Sequence, residues 1–375
     1  MRQMLENLGI EQSSGRPTFS TAIPSKKNND AEKNHRLSAF SKAETDDTDF
    51  LVEVAKDLEE VDKKMESVVP SQEGALREAI KYAIGYHGKM YRAAAAITGC
   101  RAVGGQRIIA IKVGLAVELA HLSSLIHDDI IDHDSKRRGL PTVQSLWGTE
   151  RAIIAGDYLI IKAIEKLASA SDHTEIDPNR ALRAIKLALN AGLQMCIGEA
   201  TSISSWKDMD IKSYLDYAEQ KTGVPIQASF STGAIFGGGS REEVAALSRY
   251  GLGIGVAFQI IDDLNNLTSD EEISGKPQWS DLRNGSPTLV LVHALSKSDR
   301  LTKRRIVASM GTSTVRDANM AEILDVLRLS GSMEYAEKLA SVMVEKAKAS
   351  LNSVKETPAK RLLLFLADVA LRRSC

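Results

Sequence analysis

Two short runs of aspartate, each closing a long apolar stretch, carry the chemistry open to this sequence. The first is His127-Asp128-Asp129-Ile130-Ile131-Asp132, followed by Asp134 and by Arg137-Arg138-Gly139. On a helix Asp128 and Asp132 share one face, with Asp129 about 100° round. At ~6 Å and an effective dielectric of ~20, each like-charge pair costs roughly 3 kcal/mol. Such a cluster behind Leu125 and Ile126 needs a cation between the acids. Mg²⁺ suits it, because it prefers oxygen ligands, keeps several waters and bridges carboxylates to substrate phosphates. The second run is Phe258-Gln259-Ile260-Ile261-Asp262-Asp263-Leu264-Asn265-Asn266, where Asn266 takes the i+4 place and can offer a carbonyl oxygen. One acidic helix end is ordinary solvated surface. Two of them, on facing helices, converge on shared divalent ions. Asp128, Asp129, Asp132, Asp262, Asp263 and Asn266 are therefore the candidate metal ligands.

The basic residues fit the same picture. Arg137 and Arg138 follow the first cluster, and Lys89 and Arg92 lie in His87-Gly88-Lys89-Met90-Tyr91-Arg92. Lys221 opens Lys221-Thr222-Gly223, and Lys276 sits in Gly275-Lys276-Pro277. Arginine's planar fork suits phosphate oxygens and lysine brings a mobile point charge. Each alone reads as solvated surface; together with the acids and a metal they describe a diphosphate site. Metal ions and aimed cations stabilise a departing diphosphate, so no serine, cysteine or histidine nucleophile is required. A carbocation left behind must be kept from water, and the apolar helices before both clusters can wall it off.

Those helices dominate the chain. From about residue 50 the periodicity is helical, with segments over 104–133, 147–170, 178–203, 208–236, 288–298, 316–329, 332–352 and 359–373. Ser240-Arg241-Glu242-Glu243 has the capping-box pattern and starts a helix running to about Leu267. The expectation is an all-α protein: one helical-bundle domain over 49–375 with a central active-site cavity, behind a disordered tail over 1–48 rich in Ser, Asn, Lys and Glu. Net charge is −1, so no global field favours nucleic acid. No uninterrupted apolar run has the length of a transmembrane helix, and none is expected. Cys100, Cys196 and Cys375 are scattered, which suits the reducing cytoplasm. Glu6 and Glu11 argue against an organelle-targeting peptide, since such peptides are poor in acids.

With these motifs in this order, the sequence resembles the trans-isoprenyl diphosphate synthases over about residues 50–373. Asp128 to Asp132 with Arg137-Arg138-Gly139 resembles the family's first aspartate-rich motif, and Phe258 to Asp263 the second. Gly88-Lys89-Met90-Tyr91-Arg92, His121, Ala155-Gly156-Asp157, Lys221-Thr222-Gly223 and Asp281-Leu282-Arg283-Asn284-Gly285 fall in the expected order. The resemblance implies an isoprenoid-synthase bundle, typically a homodimer, that joins an allylic diphosphate to isopentenyl diphosphate. It implies about three Mg²⁺ ions on Asp128, Asp129, Asp132 and Asp262, and Arg137, Lys221 and Lys276 on the allylic diphosphate. Lys89, Arg92, His121 and Arg138 are implied to hold the second diphosphate, with Thr222 and Gln259 lending dipoles near the carbocation. Three departures stand out: Asn266 for aspartate, Trp279 for glycine, and Ser286 for the lysine that usually follows Gly285.

Product length follows from size. Ser124 lies one turn before Asp128 on the same face, with Ser123 beside it. Two serines leave open a floor that an aromatic residue would close, and the resemblance associates small residues there with products of C20 or longer. Two rivals use the same scaffold. A class I terpene cyclase needs no second diphosphate, which Lys89, Arg92 and His121 argue against. A non-catalytic subunit of a heteromeric synthase has no need of either acidic run.

Overall fold

The computed structural model describes residues 45–86, 88–172, 176–205, 209–268, 279, 286–309 and 317–371. Helix α1 (Thr45–Met65) is followed by α2 (Ala75–Gly85), α3 (Tyr91–Ala102) and α4 (Arg107–Ile131). Next come α5 (Val143–Trp147), α6 (Thr149–Ser169), α7 (Pro178–Ser205) and α8 (Ile211–Ala218). A π-helical turn, Glu219–Gly223, leads into α9 (Val224–Phe236), and α10 spans Arg241–Thr268. The chain closes with α11 (Leu289–Lys297), α12 (Arg300–Ser309), α13 (Asp317–Leu329), α14 (Ser332–Ser350) and α15 (Pro358–Leu371). The all-α expectation holds. Among the described residues the sole sheet is the hairpin β1 (Lys136–Arg137) with β2 (Leu140–Pro141).

Helix α9 forms the centre. Every residue from Ala228 to Phe236 is buried, as expected of a helix that is apolar all round. It packs against α3, α7 and α10. A side chain at Gly233 would collide with the Ala96 carbonyl, so this glycine sets how closely α3 and α9 approach. Helix α4 lies between α3 and α6, and α10 between α9 and α14. Both α4 and the 241–267 part of α10 are long and apolar enough to span a bilayer. Their most apolar windows are 61% and 56% buried inside the fold, so that hydropathy serves the core.

The capping box forms as expected: Ser240 N–H donates to Glu243 Oε2 at 2.9 Å and Glu243 N–H to Ser240 Oγ at 3.2 Å. Three boundaries differ from expectation. Helix α1 is already under way at Thr45, inside the segment assigned to the tail; residues 1–44 lie outside the described ones. The segment expected as one helix over 208–236 is broken by the π-turn into α8 and α9. Helix α12 was not anticipated, because Arg300-Leu301-Thr302-Lys303-Arg304-Arg305 lacks an apolar stripe. Asp299 starts it by accepting from the backbone of Leu301 and Thr302 at 2.7 and 2.9 Å, and Ile306 anchors it in the core.

Asp57 on α1 is fully buried and reaches Arg107 at the start of α4, at 2.5 Å. Burial pushes its carboxyl up while Arg107 pulls it down. Removing one partner of such a pair strands the other charge. Arg107→Met is expected to lower unfolding free energy by about 2 kcal/mol, discounted because Arg107 is half exposed. Asp57→Leu in the same chain recovers part of that loss. The midpoints of urea unfolding curves for the two variants check this.

Candidate active site

Helix α4 ends in carboxylates, at the pole where the helix dipole is already negative. The structure divides the first aspartate run into two faces. Asp129 is buried and accepts from Arg137 Nε at 2.5 Å. Arg137 also stands 3.9 Å from Asp134, and Gln144 donates to the Asp129 backbone carbonyl at 2.5 Å. Burial pushes the Asp129 carboxyl up and Arg137 offsets it. Asp129 and Arg137, expected to face metal and diphosphate, are here paired with each other.

Asp128 and Asp132 face the other way, within electrostatic reach of Lys221 and Glu199. Burial pushes Asp128 up to about 6, with Lys221 opposing and Glu199 and Asp132 adding to the rise. Lys221 Nζ touches Glu199 Oε2 at 2.9 Å and sits 5.7 Å from the Tyr217 ring centroid. The π-turn makes this possible by presenting Lys221 and Thr222 from a backbone packed on both α7 and α10. Single π-turns of this kind recur at functional sites.

The second run is also divided. Asp263 is 2% exposed, and both its oxygens accept hydrogen bonds. Tyr214 Oη donates to Oδ2 at 2.5 Å, the Leu289 N–H to Oδ2 at 3.0 Å, and Gln259 Nε2 to Oδ1 at 2.9 Å. Gln259 Oε1 in turn accepts from Thr222 Oγ1 at 2.6 Å. Asp263, expected as a metal ligand, ties α10 to α8 and α11 through these bonds. Asn266 is buried, with its backbone carbonyl accepting from the Trp279 N–H at 3.1 Å. Asp262 is the exposed acid of this run. Among the described residues no three His, Cys, Asp or Glu side chains stand close enough to clasp an ion as placed.

The basic residues assemble two turns back along α4. Arg92 Nη1 meets His121 Nε2 at 2.8 Å. Arginine can only donate, so His121 presents its Nε2 lone pair and carries its proton on Nδ1. Burial holds the His121 imidazole well below its usual range, and Arg92, Arg138 and Arg137 lower it further. Burial also weakens Arg92's basicity, against the pull of Glu118 and Asp128. Glu118 is buried and accepts from the Ala93 N–H at 3.1 Å. Arg138 Nη1 donates to the Tyr86 carbonyl at 3.1 Å, and its guanidinium fills the space that a side chain at Gly88 would need. The two-residue hairpin turn aims it: Arg138 and Gly139 have φ of 54° and 78°, the pattern of a type I′ turn. The four left-handed non-glycine residues described are Met90, His133, Arg138 and Trp279. All flank motif residues, where such strain collects. Lys89 is exposed beside them, and Lys276 and residues 281–285 lie outside the described residues.

Of the two serines, Ser123 faces α6, donating to the Gly156 carbonyl at 2.8 Å. It does not line the Asp128 face, a correction to its expected role. Ser124 remains there, half-buried, donating to the His121 carbonyl at 2.8 Å. Cys196 is exposed. Sequence reasoning missed Glu118, Glu199, Tyr214 and Tyr217. The two glutamates carried a signal, each being a lone acid inside an apolar helical run.

An all-α bundle in which one π-turn links acid-tipped α4 to acid-tipped α10, with arginines gathered around His121, has the makings of a trans-prenyltransferase. The comparisons with known proteins bear this out. The chain is 36% identical over 310 residues to the short chain isoprenyl diphosphate synthase of Methanothermobacter thermautotrophicus, covering 82% of this chain and 93% of that one. It is 35% identical over 322 residues to the geranylgeranyl diphosphate synthase of Methanosarcina mazei, covering 84% and 94%. The crystal structure of geranylgeranyl pyrophosphate synthetase from Pyrococcus horikoshii superposes with a TM-score of 0.79 at 34% identity, over 86% of this chain and 99% of that one. Residues 73–327 match the family described as polyprenyl synthetase. The chain belongs to the polyprenyl synthetase family, and it is a prenyltransferase of isoprenoid biosynthesis.

Proposed function

We propose that the enzyme condenses an allylic diphosphate with isopentenyl diphosphate, dependent on Mg²⁺, to give an all-trans prenyl diphosphate of C20 or longer and pyrophosphate. The observation that carries this reading is two opposite charge groups on one helix. His121, within the arginine cluster, and Asp128, facing Lys221, are two turns apart on α4, about 10 Å by helical rise. Two diphosphates can therefore be held at once, one at each group. A cyclase needs only one.

The donor set fits a hard divalent ion. Burial raises the pKa of both Asp128 and Asp132, and Asp132 raises that of Asp128 further, at the negative pole of a helix, a strain that a cation relieves. Ions held there, with Asp262, would supply Lewis-acid stabilisation to the departing diphosphate. Lys221 brings a further positive charge to that side, and Arg92, Arg138 and His121 hold isopentenyl diphosphate with its alkene toward the cation. Thr222 and Gln259, locked in one hydrogen-bonded chain with Asp263, present fixed dipoles and no nucleophile. The buried apolar faces of α4, α9 and α10 keep out the water that would quench the cation.

The reading includes a homodimer. Ile154 and Ile161 on α6 and Leu189, Leu193 and Ile197 on α7 are exposed, with Leu193 at 63%. An apolar face of that extent suits a second copy. Sedimentation should give twice the chain mass. The reading also places the enzyme in the cytoplasm, where Cys100 and Cys196 stay reduced.

Incubation with Mg²⁺, isopentenyl diphosphate and C5, C10, C15 or C20 primers, against geranylgeranyl diphosphate alone, tests the reaction. Elongated diphosphates support it, and a cyclic hydrocarbon made without isopentenyl diphosphate overturns it. Ser124→Phe is expected to shift the product to C15 or shorter with the rate held within about tenfold, because the ring closes the floor one turn below Asp128. Chromatography of the dephosphorylated products reads that shift; an active variant with unchanged product length rules the floor out.

A further inference from the structure

We infer that Glu199 is a positioning residue that holds Lys221 off Asp128 and Asp132, keeping those carboxylates open to divalent ions. The inference rests on the metal reading above. Lys221 is the one cation that influences both aspartates from α7's side of the site. Yet its ion pair is with Glu199, at 2.9 Å; among the described residues neither Asp128 nor Asp132 forms an ion pair of its own. A lysine four methylenes long could swing to either aspartate. Left free, it would pair there and compete with the ion it is meant to assist.

Four features hold it back. Glu199 is half-buried in α7, where its charge is little screened. Gly198, just before it, lets α7 approach the π-turn: a side chain there would stand 2.7 Å from Gln220 Cβ and 3.3 Å from the Lys221 backbone nitrogen. The Tyr217 ring, 5.7 Å away, offers the ammonium a second restraint on the same side. Thr222, next in the turn, is fixed to Gln259 at 2.6 Å, so the backbone that carries Lys221 is itself anchored. The carboxylate of Glu199 contributes to turnover through Lys221 and touches no reacting atom.

Mn²⁺ binding in the presence of inorganic pyrophosphate, followed by the spin-resonance signal of free Mn²⁺, tests this on the full chain. Glu199→Gln is expected to weaken Mn²⁺ binding about tenfold, as the released lysine pairs with the aspartates. Glu199→Asp keeps the charge but falls one methylene short of Lys221, and is expected to weaken binding as well. Glu199→Gln with Lys221→Met, titrated with Mn²⁺ alone so that the lost lysine–diphosphate contact plays no part, is expected to bind within about twofold of wild type titrated the same way, since the competitor is gone. Thermal melts establish that each variant folds, and Glu199→Asp carries the test if Glu199→Gln does not. Wild-type affinity in Glu199→Asp would mean that charge alone matters, and weak binding in the double variant would mean that Glu199 is itself a ligand; either overturns the inference. A wild-type protein that binds no Mn²⁺ overturns the metal reading and this inference with it, an outcome distinct from both.

Discussion

Asp128→Asn and Asp132→Asn are each expected to lower kcat/KM for the allylic diphosphate by roughly 10²–10⁴-fold, whereas Asp129→Asn should cost less than about tenfold. The three residues belong to one run of acids, and charge counting would treat them alike. Their partners separate them. On the proposed reading a divalent ion supplies the counter-charge of Asp128 and Asp132; Asp129 already has Arg137 at 2.5 Å and is 5% exposed. Losing the carboxylate at Asp129 weakens a charge-assisted bond that braces the hairpin against α4, an effect of ~1–3 kcal/mol that belongs in the melting temperature. Asp128→Asn, by contrast, removes a desolvated charge and is expected to leave the melting temperature unchanged or raised. Steady-state kinetics at several Mg²⁺ concentrations and thermal melts on the same preparations decide the matter. Equal activity losses at Asp128 and Asp129 would erase the division of roles.

That division shows how far the sequence could be read. Helical periodicity alone set Asp129 about 100° from Asp128 and Asp132, and two faces with different partners are what the structure contains. What each face meets was only partly legible. Arg137 is eight residues from Asp129, but the two-residue turn that brings it back depends on φ at Arg138 and Gly139, which composition does not announce. Lys221 and Glu199 come from other helices, and nothing local links them to α4. The π-turn inserts one residue into an otherwise continuous helical pattern, and hydrophobic periodicity cannot register so small a slip. Yet that slip presents Lys221 and Thr222 to the site.

The second acidic run misled for a related reason. Asp262 and Asp263 are adjacent and chemically identical, so spacing assigns them one role. Tertiary packing assigns two: Tyr214, Gln259 and the Leu289 N–H surround Asp263 and satisfy it, while Asp262 stays exposed. A buried carboxylate persists only where hydrogen bonds replace its water, and those donors come from α8 and α11, far away in sequence. Ser123 and Ser124 repeat the pattern, one spent on Gly156 and the other left on the site face. Motif position located these neighbourhoods well. It could not say which of two neighbouring side chains turns inward.

Arg92→Leu is expected to lower kcat/KM for isopentenyl diphosphate by about 10³-fold or more, with the KM for the allylic substrate changed less than about threefold. Arg92 is the best-placed donor of the basic cluster: it touches His121 at 2.8 Å, and Glu118 and Asp128 favour its charge where burial opposes it. Leucine removes the donor fork and one of the charges that act on Glu118, a carboxylate 2% exposed, so some loss of stability accompanies the loss of binding. Arg92→Lys separates these effects. It keeps a positive charge beside Glu118 but gives up the planar fork, so the fold should be retained while the KM for isopentenyl diphosphate rises about 10–100-fold. Glu118→Gln supplies the control, since it removes the charge that acts on Arg92 without removing a diphosphate contact. The decisive comparison is between the two substrates. If Arg92→Lys instead raises the allylic KM, the two diphosphates occupy opposite ends of α4 from those assigned, and the ionising end of the site lies at the arginines.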